Sequence, residues 1–346
     1  MRVLVTGLGT YWGGSLAQAL ERLDDVEVIV GLDTEDPTVP LERTEFVRAD
    51  QSYSILSRIV RATQVDTILH THLIVDTRNV SSRTLHEINV IGTMNLLAAA
   101  GASDSSVRKV IVKSSTLVYG SSYRNPTFFR EEMARAGSPH TSVEGSLMEV
   151  EDYLRDFAED NPHVVVSLLR FSNVLGERLD TPLSEALRLP VIPEILGFDP
   201  RLQFTHHEDV LGALLYATQH DVPGIYNVAA DGLLPWSEVC TIVGKRRLPL
   251  PPVGTNLFVS PLRRLGAVNL PPEALDLLRY GRGVDNRRFK RAGFHYHYTS
   301  AGAVEAFAEA LRLEKSLGDA RPAYRYERDV ENFFRHSPAV IRSGDA

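Results

Sequence analysis

Short β-branched apolar runs alternate with longer amphipathic segments through the first half of the chain. This pattern is typical of βαβ units, in which right-handed crossovers build an α/β fold around a doubly wound parallel sheet. The predicted strands are Arg2–Thr6, Glu27–Leu32, Thr44–Arg48, Thr67–His70, Lys109–Lys113 and Val164–Arg170. The predicted helices are Ser15–Arg22, Ile55–Ala62, Thr84–Ala100 and Leu147–Ala158.

The pattern changes after Gly176, where proline and glycine become frequent and no clean period survives between Pro249 and Pro272. One further strand, Gly224–Val228, returns to the sheet, and a helix over Ser300–Leu313 closes the fold. The predicted domains are a dinucleotide-binding domain over 1–175 with a return to the sheet near 203–228, a smaller irregular substrate-side domain over 176–312, and a charged tail over 313–346. Within that tail, Val330–Phe334 could form a short docking helix.

Composition excludes several classes of protein. The 346 residues are 43% hydrophobic and carry a net charge of −7, which does not fit a nucleic-acid binder. No apolar run approaches the roughly 20 residues that span a bilayer, and the first residues enter a strand without a visible signal peptide. The single cysteine, Cys240, fits a reducing cytoplasm. The histidines at 206, 207, 295 and 297 lack cysteines or carboxylates at ligand spacing, so no metal site is predicted.

The first strand runs into the sequence TGLGTYWGG, which carries Gly7, Gly9 and Gly13 at a strand-to-helix turn. Glycines there let the backbone lie close to a pyrophosphate at the helix N-terminus. Asp33 ends the second strand about twenty positions later, where an acid hydrogen-bonds the adenosine ribose. It would also repel a 2′-phosphate, so NAD is favoured over NADP. Asp50 ends the third strand, where it could meet the adenine or simply cap the next helix.

Further motifs follow in a characteristic order and spacing. They are Asn89-Val-Ile-Gly-Thr93, Ser114-Ser115-Thr-Leu-Val-Tyr-Gly120, Arg170-Phe-Ser-Asn173-Val-Leu-Gly176, Phe204-Thr-His206-His-Glu-Asp209-Val, Gly224-Ile-Tyr-Asn227-Val and Asp285-Asn-Arg-Arg. Together they resemble the extended short-chain dehydrogenase/reductases, specifically the NAD-dependent sugar-nucleotide epimerase/dehydratase family that includes UDP-glucose 4-epimerase. The resemblance covers roughly residues 1–312 and implies a Rossmann fold with bound NAD. The residues it assigns to the cofactor, with those of the glycine turn, are Gly7, Gly9, Thr10, Tyr11, Trp12, Gly13, Asp33, Asp50, Gln51, His70, Thr71, His72, Asn89, Ser114, Arg170 and Phe171.

The chain departs from this family in its glycine turn, in the sequence His70-Thr-His72 and, above all, in its catalytic pair. The middle glycine stands one place early, at Gly9, and His70-Thr-His72 replaces the family's His-x-Ala-Ala. Family members carry a tyrosine with a lysine four residues later, and the lysine lowers the pKa of that tyrosine. None of the twelve tyrosines here has such a lysine. One alignment places Val143 and Leu147 at the two positions, and another places His140 and Glu144 there.

The resemblance implies that Ser115 would hydrogen-bond the reacting oxygen. Thr116 follows it instead of the acid of the 4,6-dehydratases, which disfavours that elimination. By residue type, the base could be His140, Tyr119, Tyr123 or His72, and we take His140 as the first candidate because imidazole needs little tuning near neutral pH. The resemblance assigns Asn173, Asn227, Arg201 and Arg282 to the substrate, although either arginine could equally form a surface salt bridge.

Three functions remain open from the sequence. The first is an NAD-dependent oxidoreductase or epimerase acting on a nucleotide sugar or related secondary alcohol. The second is a catalytically degenerate dinucleotide-binding protein that serves as a sensor or scaffold. The third is a structural protein that uses the tail around Tyr324–Phe334 as a partner contact, against which the glycine turn and Asp33 argue. A homodimer through Thr84–Ala100 and Leu147–Ala158 is compatible with the apolar run Ile88–Ala100, although burial of this run against the sheet explains it equally well.

Overall fold

The computed structural model describes residues 1–252 and 270–317. Its strands are β1 Arg2–Thr6, β2 Val28–Asp33, β3 Thr44–Arg48, β4 Thr67–His70, β5 Lys109–Ser115, β6 Phe128–Phe129, β7 Val165–Phe171, β8 Asn173–Leu175, β9 Val191–Ile195, β10 Arg201–Leu202, β11 Phe204–His206, β12 Gly224–Val228, β13 Leu234–Pro235, β14 Arg246–Leu250 and β15 Gly283–Val284. Its helices are α1 Tyr11–Leu20, α2 Tyr53–Thr63, α3 Ser82–His86, α4 Gly92–Ala100, α5 Ser142–Asp160, α6 Pro182–Arg188, α7 His207–Gln219, α8 Trp236–Val243, α9 Pro272–Tyr280, α10 Arg287–Arg291 and α11 Ser300–Leu317. A π-helical turn, Glu87–Ile91, joins α3 to α4, and a 3₁₀ turn, Thr116–Tyr119, follows β5.

The central sheet of the described chain has seven parallel strands in the order β3-β2-β1-β4-β5-β7-β12. The strand order reverses between β1 and β4, the place where parallel α/β sheets bind ligands at their carboxyl edge. Helices cover both faces, so the predicted doubly wound Rossmann fold is confirmed. None of the helices in the described residues is long and apolar enough to span a bilayer.

Alternating residues of the sheet build two cores. Val110 and Val112 of β5 pack into the core beneath α2, α4 and α5, whereas Ile111 packs into the core beneath α1 and α7. A third cluster forms around Trp236, away from the sheet, from residues of α6, α8, α9 and α11. This cluster is separate from the two cores of the sheet and lies within the part of the chain for which the sequence predicts a smaller domain.

Two helix starts differ from the predicted ones because polar caps, and not the apolar period, set them. Helix α1 begins at Tyr11 because the side chain of Thr10 caps it, and α5 begins at Ser142 because Thr141 caps it. Strand β5 runs two residues beyond its predicted end, to Ser115. The predicted tail segments Tyr324–Phe334 and Val330–Phe334 lie outside the described residues.

Candidate functional site

The glycine turn after β1 is built for close backbone contact. Gly7 has a φ of 79°, and a Cβ there would lie 2.8 Å from the Cα of His72. A Cβ on Gly13 would lie 2.0 Å from the carbonyl oxygen of Gly7, so the turn closes only with glycine at both positions. Thr10 locks the turn, since its hydroxyl donates to Gly7 O and accepts from Gly13 N–H. The N-terminus of α1 therefore meets the carboxyl edge of the sheet at an open backbone surface suited to a pyrophosphate.

The carboxylate of Asp33 ends β2 beside this turn and is 4% exposed. Its Oδ2 accepts from the N–H of Gly9, while Oδ1 accepts from the N–H groups of Thr34 and Glu35. A carboxylate offers about four acceptor sites. Three of them are used, so one stays available for a ribose hydroxyl.

A cavity of about 330 Å³ lies next to Asp33. Its lining residues come from the ends of β2, β3 and β4 and from the π-helical turn and α4: Thr34, Ala49, Asp50, Gln51, Ser52, His72, Glu87, Ile88, Ile91, Gly92 and Asn95. The Oε1 of Gln51 is buried and has no hydrogen-bond partner among the described residues, while its amide nitrogen contacts Nδ1 of His72. An unpaired buried acceptor is suited to the amino group of an adenine. The residues present thus fit the adenosine half of a dinucleotide.

Three residues that the resemblance assigns to the cofactor are bound within the protein. His70 is fully buried, with Nδ1 2.6 Å from the Thr6 hydroxyl and Nε2 3.0 Å from the Thr93 hydroxyl. Asn89 holds the backbone of Ile74 and contacts Ser146. The Thr71 hydroxyl donates to Thr6 O. These contacts support a role in shaping the strand ends around the cofactor.

A second cleft, here called the strand-end cleft, opens where β5 and β7 end against α6 and α9. It is lined by Trp12, Val75, Asp76, Lys113, Ser114, Ser115, Thr116, Leu117, Phe171, Ser172, Asn173, Val174, Thr181, Pro182, Leu183, Glu273, Ala274, Leu277 and Arg282. Six residues that the sequence assigned to cofactor, catalysis and substrate meet here: Trp12, Ser114, Ser115, Phe171, Asn173 and Arg282. The Oγ of Ser115 accepts from Leu117 N–H at 3.2 Å, which leaves its proton free to donate.

Arg282 is the cation of the cleft on the substrate side. It is 5% exposed, and its Nη1 lies 3.3 Å from both Gly120 O and the Ser121 hydroxyl. No carboxylate of the described residues lies within salt-bridge distance of it, and burial lowers its pKa to about 10. A buried guanidinium with no salt-bridge partner among the described residues is suited to an anionic ligand group.

Two other predicted ligand residues belong to a buried network behind the cleft. Arg170 pairs with Glu151 and donates to Tyr119, and the Tyr119 hydroxyl in turn donates to Asn227 at 2.8 Å. Glu151 also accepts from Ser114, which lines the cleft. Asn227 is fully buried, so its contacts support a structural role and not the predicted substrate contact. Arg201 is exposed on β10 and does not line the cleft.

The structure gives the missing catalytic pair no replacement on α5. Val143 and Leu147 are both fully buried in the core. His140 and Tyr123, two of the bases proposed by type, are exposed outside the cleft. Of the other two, His72 lines the cavity next to Asp33. Tyr119 is held by Arg170 and Asn227, and burial raises its pKa.

The residue that sequence reasoning missed is Lys113. Its side chain is 4% exposed and lines the strand-end cleft, with Nζ 4.9 Å from the ring centre of Trp12. Within residues 1–252 and 270–317, Nζ has neither a hydrogen-bond acceptor nor a carboxylate partner. Desolvation by burial lowers its pKa to about 8. A lysine directly after the apolar run Val110–Val112, two positions before Ser115, was the available signal.

One cluster at the start of α7 differs from the sequence expectation. His206, His207 and Glu208 bring ligand atoms within 4.8 Å of one another, so a carboxylate does stand beside this histidine pair. Tyr11 holds His207, and Tyr298 donates to Glu208. The cluster also sits at a helix N-terminus, whose dipole disfavours a cation.

Residues 3–229 match the model of the NAD dependent epimerase/dehydratase family. The chain belongs to this family. An uncharacterised protein of Mycobacterium tuberculosis is 33% identical over 316 residues, which are 90% of this chain and 83% of that protein. A Mycobacterium bovis protein matches to the same extent. Family membership makes the chain an enzyme of the NAD-dependent epimerase/dehydratase type, with NAD as its cofactor.

Solved structures share the fold at low identity. UDP-glucuronic acid 4-epimerase from Bacillus cereus, solved with NAD, superposes with a TM-score of 0.68 at 16% identity, covering 90% of this chain and 99% of that one. UDP-glucose 4-epimerase from Thermotoga maritima, solved with UDP-glucose, gives a TM-score of 0.68 at 16% identity, covering 92% of this chain and all of that one (100%). At such identity the likeness establishes the fold, and the ligands named are those of the relatives.

Proposed function

We propose that this family member is an NAD-dependent oxidoreductase or epimerase that acts on a secondary alcohol of a nucleotide sugar. The observation that carries the proposal is the strand-end cleft, which Ser115, Asn173 and Arg282 line together with Trp12. The nucleotide-sugar ligands of the related structures support this substrate class.

Each residue has a defined task in this proposal. Bound NAD would accept a hydride from the substrate carbon and return it. The hydroxyl of Ser115 donates to the reacting oxygen, and its orientation is fixed because Leu117 N–H occupies one lone pair. The Arg282 guanidinium holds the diphosphate by charge-assisted hydrogen bonds. Asn173 is itself held by Gln203 O at 2.9 Å and presents its side-chain oxygen to the substrate.

The deciding experiment mixes purified protein and NAD with UDP-glucose, UDP-glucuronic acid or UDP-N-acetylglucosamine. The reduced-nicotinamide absorbance reports net oxidation, and proton NMR of the recovered sugar reports epimerisation. Turnover of one sugar, lowered by Ser115→Ala, supports the proposal. Absence of both signals, in protein shown by calorimetry to bind NAD, favours instead the sensor or scaffold function that the buried Val143 and Leu147 suggest.

We also propose a homodimer through α4 and α5. Most of the apolar run Ile88–Ala100 is buried within the protein, but Ile91 and Met94 are 42% and 37% exposed, and Tyr153 on α5 is 38% exposed. Light scattering on the wild type and on Ile91→Glu tests this contact. The cytoplasmic location stays a prediction, supported by the buried free thiol of Cys240.

A further inference from the structure

We propose that Lys113 is the proton acceptor of this enzyme and takes over, from strand β5, the task that the tyrosine–lysine pair performs from a helix elsewhere in the family. The inference rests on the proposed function and names the group that completes its site. It starts from one juxtaposition: Lys113 and Ser115 project from the same side of β5, because side chains two residues apart share a face, and both line the strand-end cleft.

The environment of Lys113 is that of a base and not of a structural cation. Its side chain is 4% exposed, and Nζ lies 4.9 Å and 5.9 Å from the ring centres of Trp12 and Phe171. The indole face attracts an ammonium and holds the side chain in place, but it cannot accept the proton. By contrast Lys109, at the other end of the strand, binds Thr218 O and Asp221.

A buried amine without a counter-charge loses its proton more readily than a solvated one. Burial lowers the pKa of Lys113 to about 8, so the neutral amine is a minority form at pH 7 and about half of the population at pH 8. The other charged groups that line the cleft are Asp76, Glu273 and Arg282. The neighbouring elements α1, β4 and β7 carry Tyr11, His70 and Arg170. The pKa of His70 is lowered to about 3 and that of Tyr11 is raised above 10, so neither titrates near pH 8.

The proposed step balances without a further reactant. When the carbon–hydrogen bond of the alcohol breaks, its electron pair would leave as hydride, which bound NAD would accept. The hydroxyl proton passes to the neutral Lys113 amine, directly or through the Ser115 hydroxyl, and the carbonyl bond forms. The alcohol would be oxidised at the expense of bound NAD, and the resulting Lys113 ammonium would return the proton when the hydride is returned. Lys113→Arg separates this role from mere positive charge, since a guanidinium stays protonated.

The first test compares steady-state kinetics of the wild type, Lys113→Met and Lys113→Arg, with Lys109→Met as the matched control, on the three UDP-sugars named above. We expect both Lys113 variants to lose about 10²–10⁴ in kcat, the usual contribution of a general base, with little change in KM. The wild-type rate should rise with pH around 8, and this rise should vanish in Lys113→Arg. In a third variant, Lys113→Ala, added methylamine should restore part of the lost rate.

A second readout needs no turnover. In a Trp236→Phe background Trp12 is the remaining tryptophan, and its fluorescence should change with pH as the nearby amine titrates, whereas the same background with Lys113→Met should show no such transition. The inference would be overturned if Lys113→Met kept the wild-type kcat and pH profile, or if Lys113→Arg did so. Either result would leave the proposed function intact. A wild type inactive on all three sugars would overturn the proposed function, and the catalytic role of Lys113 with it.

Discussion

The backbone N–H of Gly9 donates a 2.9 Å hydrogen bond to Oδ2 of Asp33. The same carboxylate that ends β2 therefore fixes the turn after β1, and a Cβ at position 9 would lie only 3.2 Å from that oxygen. The glycine stands one place early for the family pattern because it meets this acid and the backbone of Glu35, while Thr10 caps the helix.

Asp33→Asn should weaken NAD binding about 10- to 100-fold, because the variant loses a charged acceptor, and hydrogen bonds to charged groups contribute about 1.5–3 kcal/mol. NADP binding should weaken less, since the repulsion of a 2′-phosphate disappears. Calorimetric titration with both dinucleotides measures the two affinities. Glu45→Gln, at an exposed position of β3, is the control. An unchanged NAD-to-NADP preference would contradict the assigned role of Asp33.

Arg282→Met should raise KM for a UDP-sugar by about 10- to 100-fold, with a smaller effect on kcat, because one charge-assisted contact to the diphosphate is lost. Steady-state kinetics with the UDP-sugar as substrate measure the change in KM, and inhibition by UDP measures the loss of binding to the diphosphate. Arg287→Met is the matched control, since that arginine lies on the surface and pairs with Asp285. A loss confined to kcat would place Arg282 outside the diphosphate site.

The sequence was sufficient to predict the central sheet, because strands buried on both faces leave uninterrupted apolar runs. The smaller region resisted prediction because its strands, such as β10 and β13, are two residues long and pair across distant segments. The site divides similarly. The glycine turn is local and was predicted, whereas Lys113 faces Trp12 from 101 positions away in the chain, a relationship that no linear spacing encodes. Arg170 and Asn227 match family motifs, but only the packing shows that Tyr119 holds both.

Lys113→Met should stabilise the protein at neutral pH while lowering its activity. The pKa of Lys113 is about 8 in the folded protein against 10.5 for a solvated lysine. Below pH 8 both states are protonated, so the folded state carries the full penalty of a buried ammonium. Between pH 8 and 10.5 the unfolded state binds more protons, and stability rises with pH. The free energy of unfolding should increase by up to about 3 kcal/mol in the variant at pH 7.

Denaturant unfolding at pH 7 and pH 10 measures this effect, and the gain should shrink at the higher pH. Lys109→Met is the control. It should destabilise the protein, because the Lys109 ammonium binds Thr218 O and His220 O. A destabilised Lys113→Met variant at pH 7 would show that the ammonium is already compensated in the folded state.

His70 should make the protein sensitive to acid. Thr93 donates its hydroxyl proton to Asn89 O, so its oxygen accepts from Nε2–H of His70, while Nδ1 accepts from Thr6. This arrangement holds only the neutral imidazole. Burial lowers the pKa of His70 from 6.5 to about 3, so its contribution to stability is complete above pH 6.5 and is lost as pH falls from 6.5 towards 3. Over that window the loss reaches up to about 4 kcal/mol.

Thermal melts of the wild type and His70→Gln between pH 3 and 7 test this prediction. Glutamine cannot take up a proton, so the melting temperature of His70→Gln should fall less steeply as the pH is lowered. At pH 7 that melting temperature should be below the wild-type value, because one threonine contact is lost. His206, whose pKa burial lowers to about 4, adds a slope of the same sign in both proteins. His163→Gln, at an exposed position, should follow the wild type. A buried neutral imidazole must bind a proton as it becomes exposed in acid. If the melting temperatures of the wild type and His70→Gln fell in parallel with pH, His70 would not be the group whose protonation drives acid unfolding.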